Sequence, residues 1–471
     1  MMKLSDLYEG YPDCLISGIK INSKEIVKGD LFVCTKGVVA DRHDFIDEAI
    51  EKGASAIVVS RDVGKKSVPI IKVKDTNKEL MSVCSKFYNY PYDKLFMIGV
   101  TGTTGKTTVA EVIYQLLGNS CAYLGTNGKK YKNKAESIRN TTPDVDRLYK
   151  YMKEFVDNNC KELCMEASSE AFYRHRLDEI SYDIGILTNI EEDHLNIHKT
   201  IDNYINCKCQ LFRQVKKEGF CILNSASKYL DRVKASCNGK ILTYGFLEDD
   251  DLYIKDYTVI NNITKINFVY KNKLYEVNSP LLGSFNVLNV CCAILVCLVK
   301  GINISDIFSK VAVLKQIEGR MEVLPFTDKY LILLDYAHTA DALAKVLEYL
   351  NSIKKRKIIT VTGSAGGREK EKRPLMGKVV LEKSDLVIFT MDDPRNESVD
   401  LIIDDLIGDS KNTNYLREVD RRKAICKALS LADEDDIVFI AGKGRDNYMA
   451  IGEEYLPYCD YDVIKEYFDN I

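Results

Sequence analysis

Short apolar runs, each ending in a polar or glycine-containing loop and followed by a stretch with helical spacing, recur along all 471 residues. That rhythm predicts an α/β chain with largely parallel strands, because a parallel pair needs a crossover, usually a helix, between its members. The most informative instance is Leu95 to Leu117, LFMIGVTGTTGKTTVAEVIYQLL. Its apolar start reads as a buried strand, its loop carries Gly99, Gly102 and Gly105, and the helix beyond opens with Lys106, Thr107 and Thr108.

The pattern divides the chain into three segments. Residues 1–92 are expected to form a small α/β unit. Its strands fall at Asp30 to Cys34, Ala56 to Val59 and Ile70 to Val73, with a helix from Asp44 to Lys52 stopped by Gly53 and a hinge at Tyr90, Pro91 and Tyr92. Residues 93–317 hold the glycine-loop strand and two more, Glu162 to Met165 and Ile184 to Thr188, which run into Glu166-Ala167-Ser168-Ser169 and Asn189-Ile190-Glu191-Glu192-Asp193-His194. Strands and polar turns then alternate from Phe220 to Tyr275, and an apolar helix follows from Ser284 to Leu298, with Asn286 and Asn289 on one face. In residues 318–471 the strands Tyr330 to Leu334, Lys357 to Thr362, Leu386 to Thr390 and Ile437 to Ala441 all end in polar or glycine-rich loops, so the four loops can converge on one sheet edge.

With 46% apolar and 29% charged residues and a net charge of −3, the composition is that of a soluble globular protein. No long single-sign run gives a nucleic-acid footprint, and the longest apolar run, near Val290 to Val299, is too short to insert in a membrane. The 15 cysteines form no paired C-x-x-C knuckles, and MMKLSDLYEG lacks the features of a secretory signal. Reduced thiols in a cytoplasmic protein are the expectation.

The Leu95 to Leu117 stretch has what a phosphate cradle requires. Glycines let the backbone N–H groups of Gly102, Thr103, Thr104 and Gly105 turn inward, and the helix start adds partial positive charge. Lys106 reaches the outer phosphates of a nucleotide, and a threonine hydroxyl can ligate magnesium. The spacing departs from the strict P-loop pattern, since the residue five before Gly105 is Val100. A carboxylate after a neighbouring strand can hold magnesium opposite the loop threonine, which makes Glu166 the first metal candidate and His194 the second. Their structural alternatives are a helix cap or surface carboxylate for Glu166, and a packed imidazole for His194.

Ordered motifs along nearly the whole chain carry a resemblance: GVTGTTGKTT, Asn140-Thr141-Thr142-Pro143, MEASS, TNIEEDHLNIH, YINCKCQLF, GSFNVLN, EGRMEVLP, LLDYAHTADAL, KRPLMG, DDPRNE and AGKG. In this combination the chain resembles the Mur ligases, ATP-dependent amino-acid ligases of peptidoglycan precursor synthesis. It is most similar to those that extend UDP-N-acetylmuramoyl-L-alanyl-D-glutamate by its third residue. The resemblance implies a three-domain Mur ligase architecture with a central P-loop ATPase domain and a C-terminal Rossmann-like domain. Residues 1–92 would bind the UDP sugar, 93–317 ATP, and 318–471 the incoming amino acid. It further implies a monomer that uses ATP and Mg2+ to turn the D-glutamate side-chain carboxylate into an acyl phosphate, which the amine of a free diamino acid attacks. Meso-diaminopimelate is favoured, with L-lysine or lanthionine as variants. A paralogue acting on another carboxylate, and a nucleotide-dependent switch or binding protein without ligase activity, remain as alternatives.

The resemblance also implies residue roles. Lys106, Glu166, His194 and Lys208 would be catalytic, and Thr107, Glu166, His194 and Lys208 would serve magnesium, the last as a carbamate. Asn289, Arg320 and Asp335 would contact the nucleotide together with Gly102 to Thr108. Ser23, Thr141, Thr142, Ser168 and Arg176 would contact the UDP substrate. Arg368, Asp392, Asp393, Arg395, Gly442 and Asp446 would surround the amino acid, with Arg395 suited to the distal carboxylate that diaminopimelate has and lysine lacks. The plain alternative for Lys208 is a helix-surface lysine. Several positions depart from the family pattern: Asn22-Ser23-Lys24 for Asp-Ser-Arg, Glu170 for histidine, Arg174 for glutamine, Asp393 for asparagine, and Arg445-Asp446 for His-Glu.

Overall fold

Apolar residues of short strands build the first sheet, in which β1 (Gly18–Lys20), β2 (Asp30–Val33), β3 (Ala56–Val59) and β4 (Ile70–Lys72) lie parallel in that order. Helix α1 (Ile46–Glu51) begins later than the hydropathy pattern suggests. Asp41 accepts the His43 N–H and opens a 3-10 turn over Arg42–Phe45, which takes up the first expected turn. Helix α2 (Thr76–Phe87) is capped by Asp75, which accepts from Asn77 and Lys78. The expected hinge is packed instead: Pro91 is buried at the start of a 3-10 turn, and the ring of Tyr92 meets Tyr149 edge on at 5.9 Å.

This computed structural model describes every residue except 38, 39, 139, 261, 262 and 471. It divides into two compact units, Met1–Tyr244 and Gly245–Ile471. In the first unit the glycine-loop strand β5 (Phe96–Thr101) leads into α3 (Lys106–Leu117). The chain continues through β6 (Cys121–Gly125), β7 (Gly128–Tyr131), β8 (Lys134–Glu136), α4 (Val145–Asp157), β9 (Glu162–Glu166) and α5 (Ser169–Tyr173). After these come β10 (Tyr182–Leu187), α6 (Leu195–His198), α7 (Ile201–Arg213), β11 (Val215–Asn224) and β12 (Lys240–Gly245). The strand order is β8-β7-β6-β9-β5-β10-β11-β12. Strand β5 is therefore flanked in parallel by β9 and β10, with Val100 opposite both Glu166 and Ile186. This explains the missing first glycine: Val100 is a fully buried strand residue, and the loop starts beyond it.

The second unit opens with an antiparallel meander, β13 (Leu252–Ile260), β14 (Ile263–Tyr270) and β15 (Lys273–Ser279), followed by α8 (Ser284–Val299). Its α/β part is built on β16 (Glu322–Val323), β17 (Leu331–Asp335), β18 (Ile358–Thr362), β19 (Leu386–Phe389), β20 (Tyr415–Arg417) and β21 (Ile437–Ala441). They are ordered β16-β17-β21-β18-β19-β20, parallel apart from β16. Alternate residues serve opposite faces: Leu333, Phe389 and Phe439 enter one core, and Leu334, Ile388 and Ile440 the other. The four loops after β17, β18, β19 and β21 emerge at one edge, as the hydropathy pattern allows and the parallel pairing decides. Among the described residues, no helix is long and apolar enough to cross a membrane.

Candidate active site

The phosphate loop is fixed from beneath by the chain that follows β10. Thr103 donates its N–H to Asn189 O at 2.9 Å, Thr104 donates to Asn189 Oδ1 at 3.0 Å, and the Thr188 hydroxyl donates to Thr104 O at 2.5 Å. Gly102 has φ +154°, and a Cβ there would stand 1.9 Å from Thr188 Oγ1, so no side chain fits. Gly105, at φ +82°, turns the chain into α3. Lys106 folds over the loop and donates to Gly102 O and Thr103 O, both at 3.0 Å. Thr107 and Thr108 are buried in the first turn of α3.

Insertion of β9 between β5 and β6 delivers Glu166 to this loop. Its carboxylate is fully buried and accepts from the Thr107 hydroxyl at 3.0 Å, the Tyr123 hydroxyl at 2.8 Å, the Thr126 N–H at 2.8 Å and the Thr126 hydroxyl at 3.3 Å. It is the last residue of its strand and caps no helix; Ser168 does that, accepting from Ala171 N at 3.2 Å. Gly125 leaves room for the carboxylate, since a Cβ there would meet Glu166 Oε1 at 2.2 Å. Tyr123 and Thr126 were not legible as partners, because the strand order that aligns them is not written in local pattern. His194, with φ +55°, precedes α6 and has Nε2 3.5 Å from Asp193 Oδ2.

Lys208 is not a helix-surface lysine. It is buried on the inner face of α7, donates to Gly102 O at 2.7 Å, and places Nζ 4.4 Å from the centre of the Tyr204 ring. Burial, and then the neighbouring charge of Lys106, push its amine well below the ordinary lysine range. Its helical spacing from Tyr204 and Phe212, both buried, was the available signal.

The donor set suits magnesium. The Thr107 hydroxyl and a Glu166 oxygen lie 3.0 Å apart at the helix start. Among the described residues, no three His, Cys, Asp or Glu side chains cluster closely enough to hold a metal alone. Magnesium needs no such cage, because it keeps several waters and commonly uses one or two carboxylates with substrate phosphates.

A cavity of about 920 Å³ in the same unit is lined by Asn22, Ser23, Lys24, Arg147, Arg174 and Arg176 among others. Ser23 donates to Glu48 at 2.7 Å. Arg176 donates to Thr142 O at 3.1 Å and pairs with Asp144 at 2.8 Å. Thr142 is buried behind that wall: its hydroxyl donates to Glu166 O at 2.7 Å and lies 3.1 Å from Ser168 Oγ. The Thr141 hydroxyl is 3.2 Å from that of Thr126. Two departures from the family pattern explain each other, since Arg174 Nε donates to Glu170 at 2.7 Å across one helical turn.

The second unit gathers the remaining candidates in two places. Asp335 accepts from Met321 N at 2.6 Å and Ala337 N at 2.7 Å, and burial raises its pKa against the pull of Arg320. The guanidinium of Arg320 lies 4.6 Å from the centre of the Tyr336 ring. Asn289 donates to Asn286 at 3.0 Å near the start of α8. At the loop edge, Lys443 is buried with Nζ 2.8 Å from Asp393, 3.9 Å from Asp392 and 3.7 Å from Asp446. The charge that Asp393 adds is therefore paired with an internal ammonium, a role missed because the partners are 50 residues apart. Asp446 also accepts from the Tyr336 hydroxyl at 3.0 Å. Gly442 has φ +111°, and a Cβ there would meet Asp392 Oδ2 at 2.4 Å. Arg395 donates to Gly366 O at 2.7 Å, while Arg368 is exposed. Arg421 and Asp460 form a fully buried pair, and the same guanidinium donates to Ala441 O at 2.8 Å, fixing the end of β21. Arg445 departs similarly, pairing with Glu322 and stacking 3.6 Å from the centre of the Tyr461 ring.

Comparison with known proteins bears on the family and the fold. Family models match three successive segments: Mur ligase family, catalytic domain, at 15–93; Mur ligase middle domain at 100–297; and Mur ligase, glutamate ligase domain, at 319–444. The UDP-N-acetylmuramoyl-L-alanyl-D-glutamate--2,6-diaminopimelate ligase of Aquifex aeolicus is 38% identical over 96% of this chain and 93% of its own. Ligase 2 of the same name from Clostridium acetobutylicum is 37% identical over 98% and 97%. A solved structure of an enzyme with that name aligns with TM-score 0.68 and 27% identity, covering 100% of this chain and 99% of that one. The MurF ligase of Thermotoga maritima, solved with ADP, shares the fold at TM-score 0.69 and 21% identity, covering 98% and 99%. With such relatives over nearly its whole length and family models over most of its residues, this chain belongs to the Mur ligase family.

Proposed function

We propose that this chain ligates a diamino acid, meso-diaminopimelate foremost, to the D-glutamate side-chain carboxylate of UDP-N-acetylmuramoyl-L-alanyl-D-glutamate, acting as a cytoplasmic monomer. One observation carries the reading within the first unit. A hydrogen-bonded path leads from Arg176 on the cavity wall, through Thr142 and Glu166, to Thr107 at the phosphate loop. An acceptor held in the cavity and a nucleotide held at the loop thus share one scaffold. Residues 1–92 with 93–317 would supply the acceptor and nucleotide sites, and 318–471 the amino-acid site.

As a Mur ligase the chain is an ATP-dependent amide-forming enzyme. The acceptor carboxylate oxygen attacks the γ-phosphorus of ATP and ADP leaves, giving an acyl phosphate. The amine of the diamino acid then attacks the acyl carbon, loses a proton, and expels phosphate with that carboxylate oxygen. Lys106 places positive charge between two anions that must approach. Thr107, Glu166 and His194 would hold magnesium, which would supply further screening. Ser23 and Arg176 would face the UDP substrate, with Thr141, Thr142 and Ser168 supporting the wall. Asn289, Arg320 and Asp335 would serve the nucleotide. Scoring phosphate release across a panel of amino acids and acceptors tests the reading: it requires turnover with the UDP-muramoyl dipeptide and fails if only another carboxylate supports it.

The amino-acid pocket offers opposite charges to a zwitterion, with Asp392, Asp393 and Asp446 around Lys443, Arg395 two residues beyond Asp393, and Arg368 next to Gly367, where a Cβ would lie 3.8 Å from Arg395. Arg395 spends one of its five donors on Gly366 O. Arg395→Ala should raise KM for meso-diaminopimelate about ten- to a hundred-fold, the worth of a charge-assisted contact. An equal effect on lysine turnover would count against a distal-carboxylate contact.

Lys208 is proposed to react as its neutral amine with CO2, losing a proton to give a carbamate that can ligate magnesium. Its lowered pKa favours that neutral form. Labelled bicarbonate should give a carbamate carbonyl signal in the 13C NMR spectrum, absent in Lys208→Ala; the same spectrum from both proteins would exclude the modification.

A further inference from the structure

A column of rings, exposed at Tyr173 and buried at His198 and Tyr204, connects the cavity wall to the phosphate loop. Tyr173 lines the cavity, and its ring meets His198 edge on at 5.3 Å; His198 in turn meets Tyr204 edge on at 5.2 Å. The Tyr204 hydroxyl is 3.0 Å from Thr103 Oγ1, and the same ring lies beneath Lys208. His198 is fully buried and closes α6, with its N–H donating to His194 O at 3.0 Å and its carbonyl accepting from Asn203 Nδ2 at 3.0 Å. Its Nε2 is 3.1 Å from Ser169 Oγ, while Nδ1 is buried with no hydrogen-bond partner among the described residues.

Packing accounts for an aromatic ring at this position but not for an imidazole, whose unpaired nitrogen is costly to bury. The compensation lies in what the residue holds together. Through Ser169 it is tied to the first turn of α5, the helix that ends in Tyr173. Through its ring it bears on Tyr204, and through its backbone on His194.

We propose that His198 is a positioning residue for phosphoryl transfer. It keeps Tyr204 against Thr103 and under Lys208, keeps His194 at the start of α6, and ties both to the helix that forms the cavity wall. It touches no reacting atom. The inference rests on the ligase reading above, so wild-type turnover with the UDP-muramoyl dipeptide is measured first; its absence defeats that reading, and only the variants test His198.

A displacement of about 1 Å away from the chemistry can cost on the order of a hundred-fold, and His198→Ala should lower kcat by about that factor. KM for ATP and for the dipeptide should stay within about three-fold, as expected when an interaction is lost mainly in the transition state. His198→Phe restores the ring and should recover about ten-fold of the loss. Tyr204→Phe, which removes just the hydroxyl facing Thr103, should lower kcat about ten-fold with both KM values held. The proposal is overturned if folded His198→Ala keeps wild-type kcat, if its loss lies in KM, or if His198→Phe is as slow as His198→Ala. Should His198→Ala fail to fold, Tyr204→Phe decides: a lowered kcat supports the proposal, and an unchanged one overturns it.

Discussion

Lys106→Ala should lower kcat for ligation by about a thousand-fold, the upper range for removing one preorganised donor from a developing negative charge. The γ-phosphate and the acceptor carboxylate are both anions, and the reaction brings an oxygen of one onto the phosphorus of the other. Lys106 is held over the loop by Gly102 O and Thr103 O, so its charge is in place before the substrates arrive. Its side chain is half-buried, two of its partners are carbonyls of its own loop, and its charge opposes that of the buried Lys208. Thermal unfolding should therefore change little, by about 1 kcal/mol or less. Steady-state turnover and a melting curve on the same preparation check both halves. Near-normal kcat in a folded variant would remove Lys106 from the chemistry.

Glu166→Gln should be comparably severe for a different reason. The carboxylate accepts from two threonine hydroxyls, a tyrosine hydroxyl and a backbone N–H. A glutamine keeps one acceptor oxygen and turns an amide donor toward groups that donate, so about 1–3 kcal/mol of stability should be lost. Loss of the charge should raise the magnesium concentration needed for half-maximal rate by about ten- to a hundred-fold, with kcat falling further at low magnesium. A magnesium titration of initial rate reads this directly. An unchanged magnesium requirement would mean that Glu166 is structural.

The pattern of apolar runs located the strands that carry the candidate loops, β5, β9, β10, β17, β18, β19 and β21, to within two residues, because their interiors are buried and each ends in a polar loop, whereas it named none of β6, β7, β8 or β20. It also indicated that the four loops of the last segment could share a sheet edge, since parallel strands of one sheet place their C-terminal ends together. What it could not supply was strand order. Glu166 meets Thr107 because β9 lies beside β5, and nothing within MEASS specifies that neighbour. The Asp393 to Lys443 pair escaped for the same reason, and without it Asp393 reads as uncompensated charge. Lys208 was legible in principle: Tyr204 and Phe212 lie one turn to either side of it, both buried, and that face runs inward. The Glu170 and Arg174 pair could likewise have been read from spacing alone. Charged side chains on apolar faces are where local pattern says least, because burial of a charge depends on partners that are distant in sequence.

The account depends on the acceptor carboxylate attacking the γ-phosphate gathered at Lys106, and the fate of one oxygen tests it most directly. With 18O in the side-chain carboxylate of the D-glutamate residue, an acyl phosphate transfers one labelled oxygen to phosphate when the amine attacks. Mass spectrometry of the phosphate released during ligation should find one 18O per molecule. Unlabelled phosphate accompanying amide formation would contradict the account.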